Sequence, residues 1–220
     1  GQIHQGPIEL RRTFSGSLEA GAEFVIAPKI SGRVERLYAD LGDVVEQGQV
    51  VAELDNDEYL QAVALAKADL MVTKANLMEA QNALEIAARE LKRFDTLRSR
   101  GVASDSQFDT AKADHLSKQS RLEVSKAQLT RAEALLETAR IKLGYTKITA
   151  GWTDADSSRV VSERYVDEGE TVAANAPLLS IVALDPIVGV IFVTEKDYAS
   201  LQPDQAASLV TDAFPGIPFY

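Results

Sequence analysis

Between Glu58 and Arg98 the chain reads EYLQAVALAKADLMVTKANLMEAQNALEIAARELKRFDTLR, with no glycine and no proline. It is built from Ala, Leu, Glu, Gln and Lys, the strong helix formers. Val63, Ala66, Leu70, Leu77, Ala80, Leu84, Ala87, Leu91 and Phe94 recur in steps of three and four, with Thr73 the one polar member of the series. A sustained 3.5-residue repeat is the seam of a coiled coil. The pattern predicts a helix roughly 60 Å long at about 1.5 Å per residue.

A break follows at Ser99-Arg100-Gly101-Val102-Ala103, and Ser104-Asp105-Ser106-Gln107 then has the form of a capping box. The second helix is expected to run to about Leu143 and stop at Gly144, with Phe108, Ala111, His115, Lys118, Leu122, Ser125, Leu129, Ala132, Leu136, Ala139 and Leu143 as its seam. Two helices joined by so short a loop are antiparallel neighbours. Folding at the loop sets Phe94 near Phe108, Leu91 near Ala111, Ala80 near Leu122, Leu70 near Ala132 and Ala66 near Leu136, large residues repeatedly facing small ones.

The segments flanking this hairpin resemble each other. At a constant offset Val34, Tyr38, Asp40, Gly42, Val45 and Val51 meet Val161, Tyr165, Asp167, Gly169, Val172 and Leu178. Gly42 and Gly169 occupy turns that need positive φ. A repeat split by the hairpin implies that its halves pair as one small sandwich. Outside it, Pro7 to Leu18 and Pro186 to Tyr220 alternate and carry β-branched residues, which reads as strands of a third layer. The chain ends at Pro218-Phe219-Tyr220 in a strand-like region and is read as a fragment.

Composition narrows the function. Aromatics make up 6% of the 220 residues, which points away from one thick core and toward an elongated molecule of thin layers. A net charge of -10 argues against binding nucleic acid or anionic membrane over the whole surface. Cys is absent, so disulfides, thiolate metal sites and a Cys nucleophile are excluded. No run of about 18 apolar residues occurs. The opening Gly1-Gln2-Ile3-His4-Gln5 has no signal-like pattern, which leaves a cytosolic protein or one whose export signal or anchor lies outside this sequence.

The split repeat is similar to the lipoyl (biotinyl-like) domain, and its interruption by a helical hairpin resembles the HlyD-type membrane fusion proteins. The residues that carry the resemblance are Ser31 to Val34, Gly42 to Asp55, Gly144 to Ala150, Val160 to Glu163 and Asp167 to Val172. It implies an α+β fold: a split lipoyl-like β-sandwich (25–56 and 145–185), an antiparallel coiled-coil hairpin (57–144) and part of an adjoining β-barrel domain (1–24 and 186–220). It further implies a periplasmic adaptor, anchored to the inner membrane by a segment outside this sequence. Such an adaptor joins an inner-membrane efflux transporter, of the resistance-nodulation-division class, to an outer-membrane channel of the TolC type. It associates with itself into a ring or funnel and exports drugs or other toxic compounds.

In that family the hairpin tip carries an Arg, a Leu four residues on and a Ser seven further on, to meet the channel's helical ends. Arg93, Leu97 and Ser104 fall on that spacing. Each also has a local explanation: Ser104 as a helix cap, Leu97 as the closure of the hairpin end, Arg93 as a partner of Asp95 or Asp105. The stretch after Ala150 departs from the family, which has a Pro there, then an aromatic, an acidic residue and Gly; here Gly151 to Arg159 is longer and lacks the Pro and the final Gly.

Other functions fit less well. A lipoyl or biotinyl carrier needs a Lys at the tip of its turn, and Leu54-Asp55-Asn56-Asp57-Glu58 has none. An adaptor of an ABC or major-facilitator exporter is the alternative within the family. His4 and His115 are too few and too far apart for a His-based metal site. His115 and Lys118 are expected to soften the seam or set its register, with a pH sensor as the alternative. Met71 and Met78 are seven apart, which suits soft-metal binding or, more ordinarily, packing. Asp154 and Asp156 lack the rest of a calcium loop. No catalytic site, cofactor or metal is expected.

Overall fold

A computed structural model describes residues 12–153, 158–211 and 219. Two compact units divide the chain, one of Glu23–Val182 and one of Gly1–Ala22 with Ala183–Tyr220.

Within the first unit, α1 (Asp57–Ser99, 43 residues) and α2 (Asp105–Gly144, 40 residues) pack against each other along their length. All the expected seam positions of both helices are buried or half-buried, Thr73 included, and in α2 no other position is. The most buried ones are small: Ala80, Ala87, Ala111, Ser125 and Ala132, with Leu136 the exception. Small residues let two helices approach closely, while the larger members interdigitate above and below them. Helix α2 stops where expected but not by the expected means. Gly144 is its last helical residue, and the cap is Tyr145 at φ -73°, ψ -11°. Thr146 closes the end instead, its hydroxyl donating to the Leu143 carbonyl at 2.7 Å. Because the chain passes directly into a buried strand, a left-handed glycine is not needed to turn it.

The sandwich comprises two four-stranded sheets. One has the order β1 (Gly16–Ile26), β8 (Leu179–Ile191), β6 (Ser158–Arg164), β3 (Val44–Glu46); the other β5 (Lys147–Thr149), β4 (Val50–Leu54), β2 (Gly32–Leu37), β7 (Thr171–Val172). The repeat seen in the sequence maps β2, β3 and β4 onto β6, β7 and β8, so the two sheets have the same plan. Each half lends its shortest strand to the other's sheet: β3 pairs with β6, and β7 with β2.

The backbone bonds repeat with the residues. Gly42 N–H donates to the Val161 carbonyl at 2.9 Å, and Gly169 N–H to the Val34 carbonyl at 2.8 Å. Val161 N–H returns to Asp43 and Val34 N–H to Glu170. Gly42 and Gly169 have φ of 85° and 91°, the left-handed conformation expected of them. Between the sheets, Val34, Val45, Val51, Leu54, Leu178, Leu179 and Ile181 are completely buried, each contributing roughly 1.5–3 kcal/mol by leaving water.

The loop after Ala150 supplies a core element that the sequence did not announce. Trp152 is buried and its carbonyl accepts from Gln47 Nε2 at 2.6 Å. Arg159 is 2% exposed, and its guanidinium lies 4.5 Å from the Phe24 ring centre and 5.1 Å from that of Trp152. Two aromatic faces around a desolvated guanidinium attract it through their quadrupoles. Asp154 and Asp156, considered above for calcium, lie outside the described residues, as does His4.

In the second unit, among the described residues, the alternation expected over 186–220 forms regular strand only as far as Ile191, and 212–218 lie outside the described residues. Glu195–Tyr198 is then a helical turn, α3, in which Thr194 Oγ1 donates to Asp197 Oδ2 at 2.8 Å, and Leu209 bridges Phe219. A Thr followed by Glu and Asp favours a helix start over a strand. Arg12 pairs with Asp197. Of the expected strand from Pro7 to Leu18, residues 7–11 lie outside the described residues, 12–15 have no regular structure and β1 begins at Gly16.

Candidate functional site

The far end of the hairpin is built from three local devices. Helix α1 closes with Gly101 at φ 73°: Gly101 N–H donates to the Arg98 carbonyl at 2.9 Å and Val102 N–H to the Leu97 carbonyl at 2.9 Å. This 5→2 and 6→1 pair is a Schellman turn, and a left-handed residue is what reverses the chain there. Helix α2 opens with Ser104, whose hydroxyl accepts from Gln107 N–H at 3.3 Å while Gln107 Oε1 accepts from Ser104 N–H at 2.9 Å. The capping box read from the sequence is therefore present. Across the loop, Arg98 Nε meets Asp105 Oδ1 at 2.8 Å, and its guanidinium sits 4.6 Å from the Phe108 ring centre.

The three candidate residues occupy this end. Arg93 is exposed, pairs with Glu90 one turn back and rests 5.4 Å from the Phe94 ring centre. The local partners considered for it, Asp95 and Asp105, are not the ones it takes; Asp105 goes to Arg98, which stands closer to the loop. Leu97, one turn beyond Arg93 on the same helix, is half-buried, and its carbonyl receives the N–H groups of Arg100, Val102 and Ala103. It closes the hairpin end through its backbone. Ser104 caps α2 and remains exposed. Arg93 and Leu97 thus share one face of α1, and Ser104 lies across the loop from them.

Two tip residues escaped the sequence reading. Arg98 ties the helices together, and Val102 is 72% exposed at the apex. Leu97, Gly101 and Val102 at C3, C′ and C″ are the signature of the Schellman turn, so the signal was there to be read. From Glu90 to Asp105 the tip carries Lys92, Arg93, Arg98 and Arg100 against Glu90, Asp95 and Asp105, and with Arg93 paired to Glu90 and Arg98 to Asp105 a small positive excess remains on a chain of net charge -10. Such an end favours carbonyls, carboxylates or helix C-termini on a partner.

Along the seam, His115 is half-buried and its Nδ1 has no hydrogen-bond partner among the described residues; Lys118 reaches Asp114 at 3.7 Å. Met71 and Met78 do not pack into the hairpin: both are exposed, on the face away from the seam. No group of three or more His, Cys, Asp or Glu stands together among the described residues. No helix among them is long and apolar enough to cross a membrane.

Comparison with known proteins bears on the same elements. Residues 69–146 match the family model described as RND MFP, alpha-helical hairpin domain. The chain is 35% identical over 212 residues to the pyoverdine export membrane fusion protein PvdR of Pseudomonas putida, covering 95% of this chain and 53% of the relative. It is 30% identical over 205 residues to the macrolide export protein MacA of Yersinia pestis, covering 92% and 54%. The chain spans about half the length of the curated relatives it matches. The crystal structure of MacA from Actinobacillus actinomycetemcomitans has the same fold, with a TM-score of 0.82 at 24% identity over 93% of this chain and 63% of that one. With a matched hairpin and relatives aligned over nearly its whole length, this chain carries the alpha-helical hairpin domain of the RND membrane fusion proteins and is similar to membrane fusion proteins on both sides of it.

Proposed function

We propose that this protein is a periplasmic adaptor of an export system, joining an inner-membrane transporter to an outer-membrane channel of the TolC type. The observation that carries the reading is the hairpin's far end, where an exposed tip is closed by the Schellman turn, the Arg98–Asp105 pair and the Ser104 cap. A tip held on two long helices is suited to reaching a distant partner. Arg93 contributes a fork of donors to carbonyls or a carboxylate, Leu97 a small apolar contact and Ser104 a hydroxyl. The family description of the hairpin supports a transporter of the resistance-nodulation-division class. The relatives' names, a pyoverdine and a macrolide exporter, support export of small organic compounds, and the second supports drugs among them.

In this reading the lipoyl-like halves (25–56 and 145–185) carry the hairpin (57–144), while 1–24 and 186–220 contribute to a β-barrel domain. The protein works by binding, without catalysis or cofactor, and associates with itself into a ring or funnel, since one hairpin cannot enclose a conduit. Localisation is the periplasm, with an inner-membrane anchor in the full-length protein.

The chain has no Cys, so one introduced thiol reports cleanly. Ser104→Cys in the full-length protein is expected to crosslink to the outer-membrane channel in the cell envelope, and Glu85→Cys, exposed on mid-helix, is not. A folded, exported protein that crosslinks from neither position removes the channel-docking role.

A further inference from the structure

The two helices of the hairpin are joined almost wholly by apolar contact. Among the described residues, a single ion pair passes from α1 to α2: Arg98 Nε to Asp105 Oδ1, at 2.8 Å. The other ion pairs of the hairpin stay on one helix, as Arg89–Glu85 does on α1 and Lys118–Asp114, Lys126–Glu123 and Arg140–Glu137 do on α2. The hydroxyls of Thr73, Thr96, Thr110, Ser120, Thr130 and Thr138 likewise donate back to their own helix. The guanidinium that crosses the gap also lies 4.6 Å from the ring centre of Phe108, on α2.

This link stands where the seam has least power to set geometry. Apolar burial is non-directional, and the hairpin ends there. The remaining bonds of the tip fall into two sets that do not meet. The Leu97 and Arg98 carbonyls receive the N–H groups of Gly101, Val102 and Ala103, all on the α1 side, while the capping box ties Ser104 to Gln107 on the α2 side. Arg93 and Leu97 are therefore fixed on one helix and Ser104 on the other, and Arg98 supplies the directional contact between them. The pair adds little to stability, since the Arg98 and Asp105 side chains are 45% and 82% exposed. A lone polar contact across a coiled coil is known instead for setting register. Arginine suits the task, because one planar group serves both the carboxylate and the ring.

We propose that Arg98 is a positioning residue for docking: by holding Asp105 and Phe108 it fixes the first turn of α2 against the last turn of α1, and so sets the spacing between the Arg93–Leu97 face and Ser104. This rests on the channel-docking role in the proposed function and assigns the order of that surface to a residue outside it. Without Arg98 the same three residues are present but have to be brought into register as the partner binds, and that ordering counts against affinity. Arg100 carries the same charge two residues on and makes no ion pair among the described residues, so it has no share in the brace.

The test uses the full-length protein. Spin labels on Thr96→Cys and Ser106→Cys, both exposed, read the distance between the two sides of the tip. Ser106→Cys by itself reads crosslinking to the outer-membrane channel in the cell envelope. Arg98→Ala is expected to broaden the distance distribution and lower the crosslink yield by about three- to tenfold, with thermal unfolding unchanged. Asp105→Asn, which keeps the arginine's charge and removes its partner, is expected to do the same, and Arg100→Ala to do neither. An unbroadened distribution in Arg98→Ala overturns the proposal, as does a broadened one with undiminished crosslinking. So does an equal loss of crosslinking in Arg100→Ala, or a gain in Asp105→Asn, either of which would make Arg98 a contact charge. A parent protein that crosslinks from neither Ser104→Cys nor Ser106→Cys would sink the docking role itself, while the distances would still show whether Arg98 orders the tip.

Discussion

The sandwich and the hairpin are both held by apolar contact, but they hold in different ways. In the sandwich, Val34, Val51, Leu54 and Leu178 lose all contact with water, and each half is locked by a strand lent to the other's sheet. In the hairpin the buried stripe is narrow, most of its members keep partial exposure, and the most buried residues are mainly alanines. The difference teaches where each can tolerate change. The sandwich core has no route for relaxation, so its substitutions strike stability. The hairpin distributes its cohesion over many turns, which leaves its backs and its tip available for partners.

That contrast can be broken first at Leu178. Leu178→Ala is expected to cost about 3–5 kcal/mol in urea unfolding, the upper part of the range for core leucines, because the closed sandwich cannot collapse around the cavity. A smaller loss, about 2 kcal/mol, is expected for Leu136→Ala, since a stripe open to water on both edges relaxes or hydrates the gap. Equal losses at the two sites would refute the distinction between a closed core and an open seam.

At the tip, Ser104→Ala is expected to cost about 1 kcal/mol through the lost cap, whereas Ser104→Asp keeps an oxygen for the Gln107 N–H and should cost little. The pair separates roles: if docking needs the hydroxyl itself, channel crosslinking from a neighbouring reporter falls in both variants while stability falls only in the first. Thermal unfolding checks the stability side.

The smallest effect concerns the repeat. Tyr38 and Tyr165 are equivalent residues, and both phenols are raised above their ordinary pKa, chiefly by hydrogen bonds to Glu53 and Glu163 respectively. Tyr38 Oη donates to Glu53 at 3.0 Å. A raised folded-state pKa means a contribution present below the ordinary tyrosine value near 10 and lost as the pH rises through the folded value. Tyr38→Phe should therefore shift stability slightly at neutral pH and flatten its decline above about pH 10. An unchanged alkaline decline in the double variant with Tyr165→Phe would show that neither phenol contributes.

Much of the fold was legible because its signals are local or periodic. The seam is a matter of spacing, and each expected position proved to be the one that turns inward. The Ser104–Gln107 box and the left-handed Gly42 and Gly169 depend on a few neighbouring residues. The candidate site was legible only in part. Spacing located Arg93, Leu97 and Ser104, but which acid Arg93 takes depends on how far the helix turns before the loop, and Glu90 was nearer than either expected partner. Met71 and Met78 were read as packing because heptad spacing alone does not say which of two apolar stripes faces the partner helix.

What the sequence determined by itself, then, is the alternation of elements, the register of the two seams and the turns that demand a special backbone, since each is imposed by sterics and apolar spacing within a few residues. What only the tertiary structure decided is the exchange of β3 and β7 between the sheets, the seating of Arg159 between Phe24 and Trp152, and the exposure of the α1 back. These depend on which distant surfaces meet, and a periodic pattern states that a face must be buried without naming what buries it.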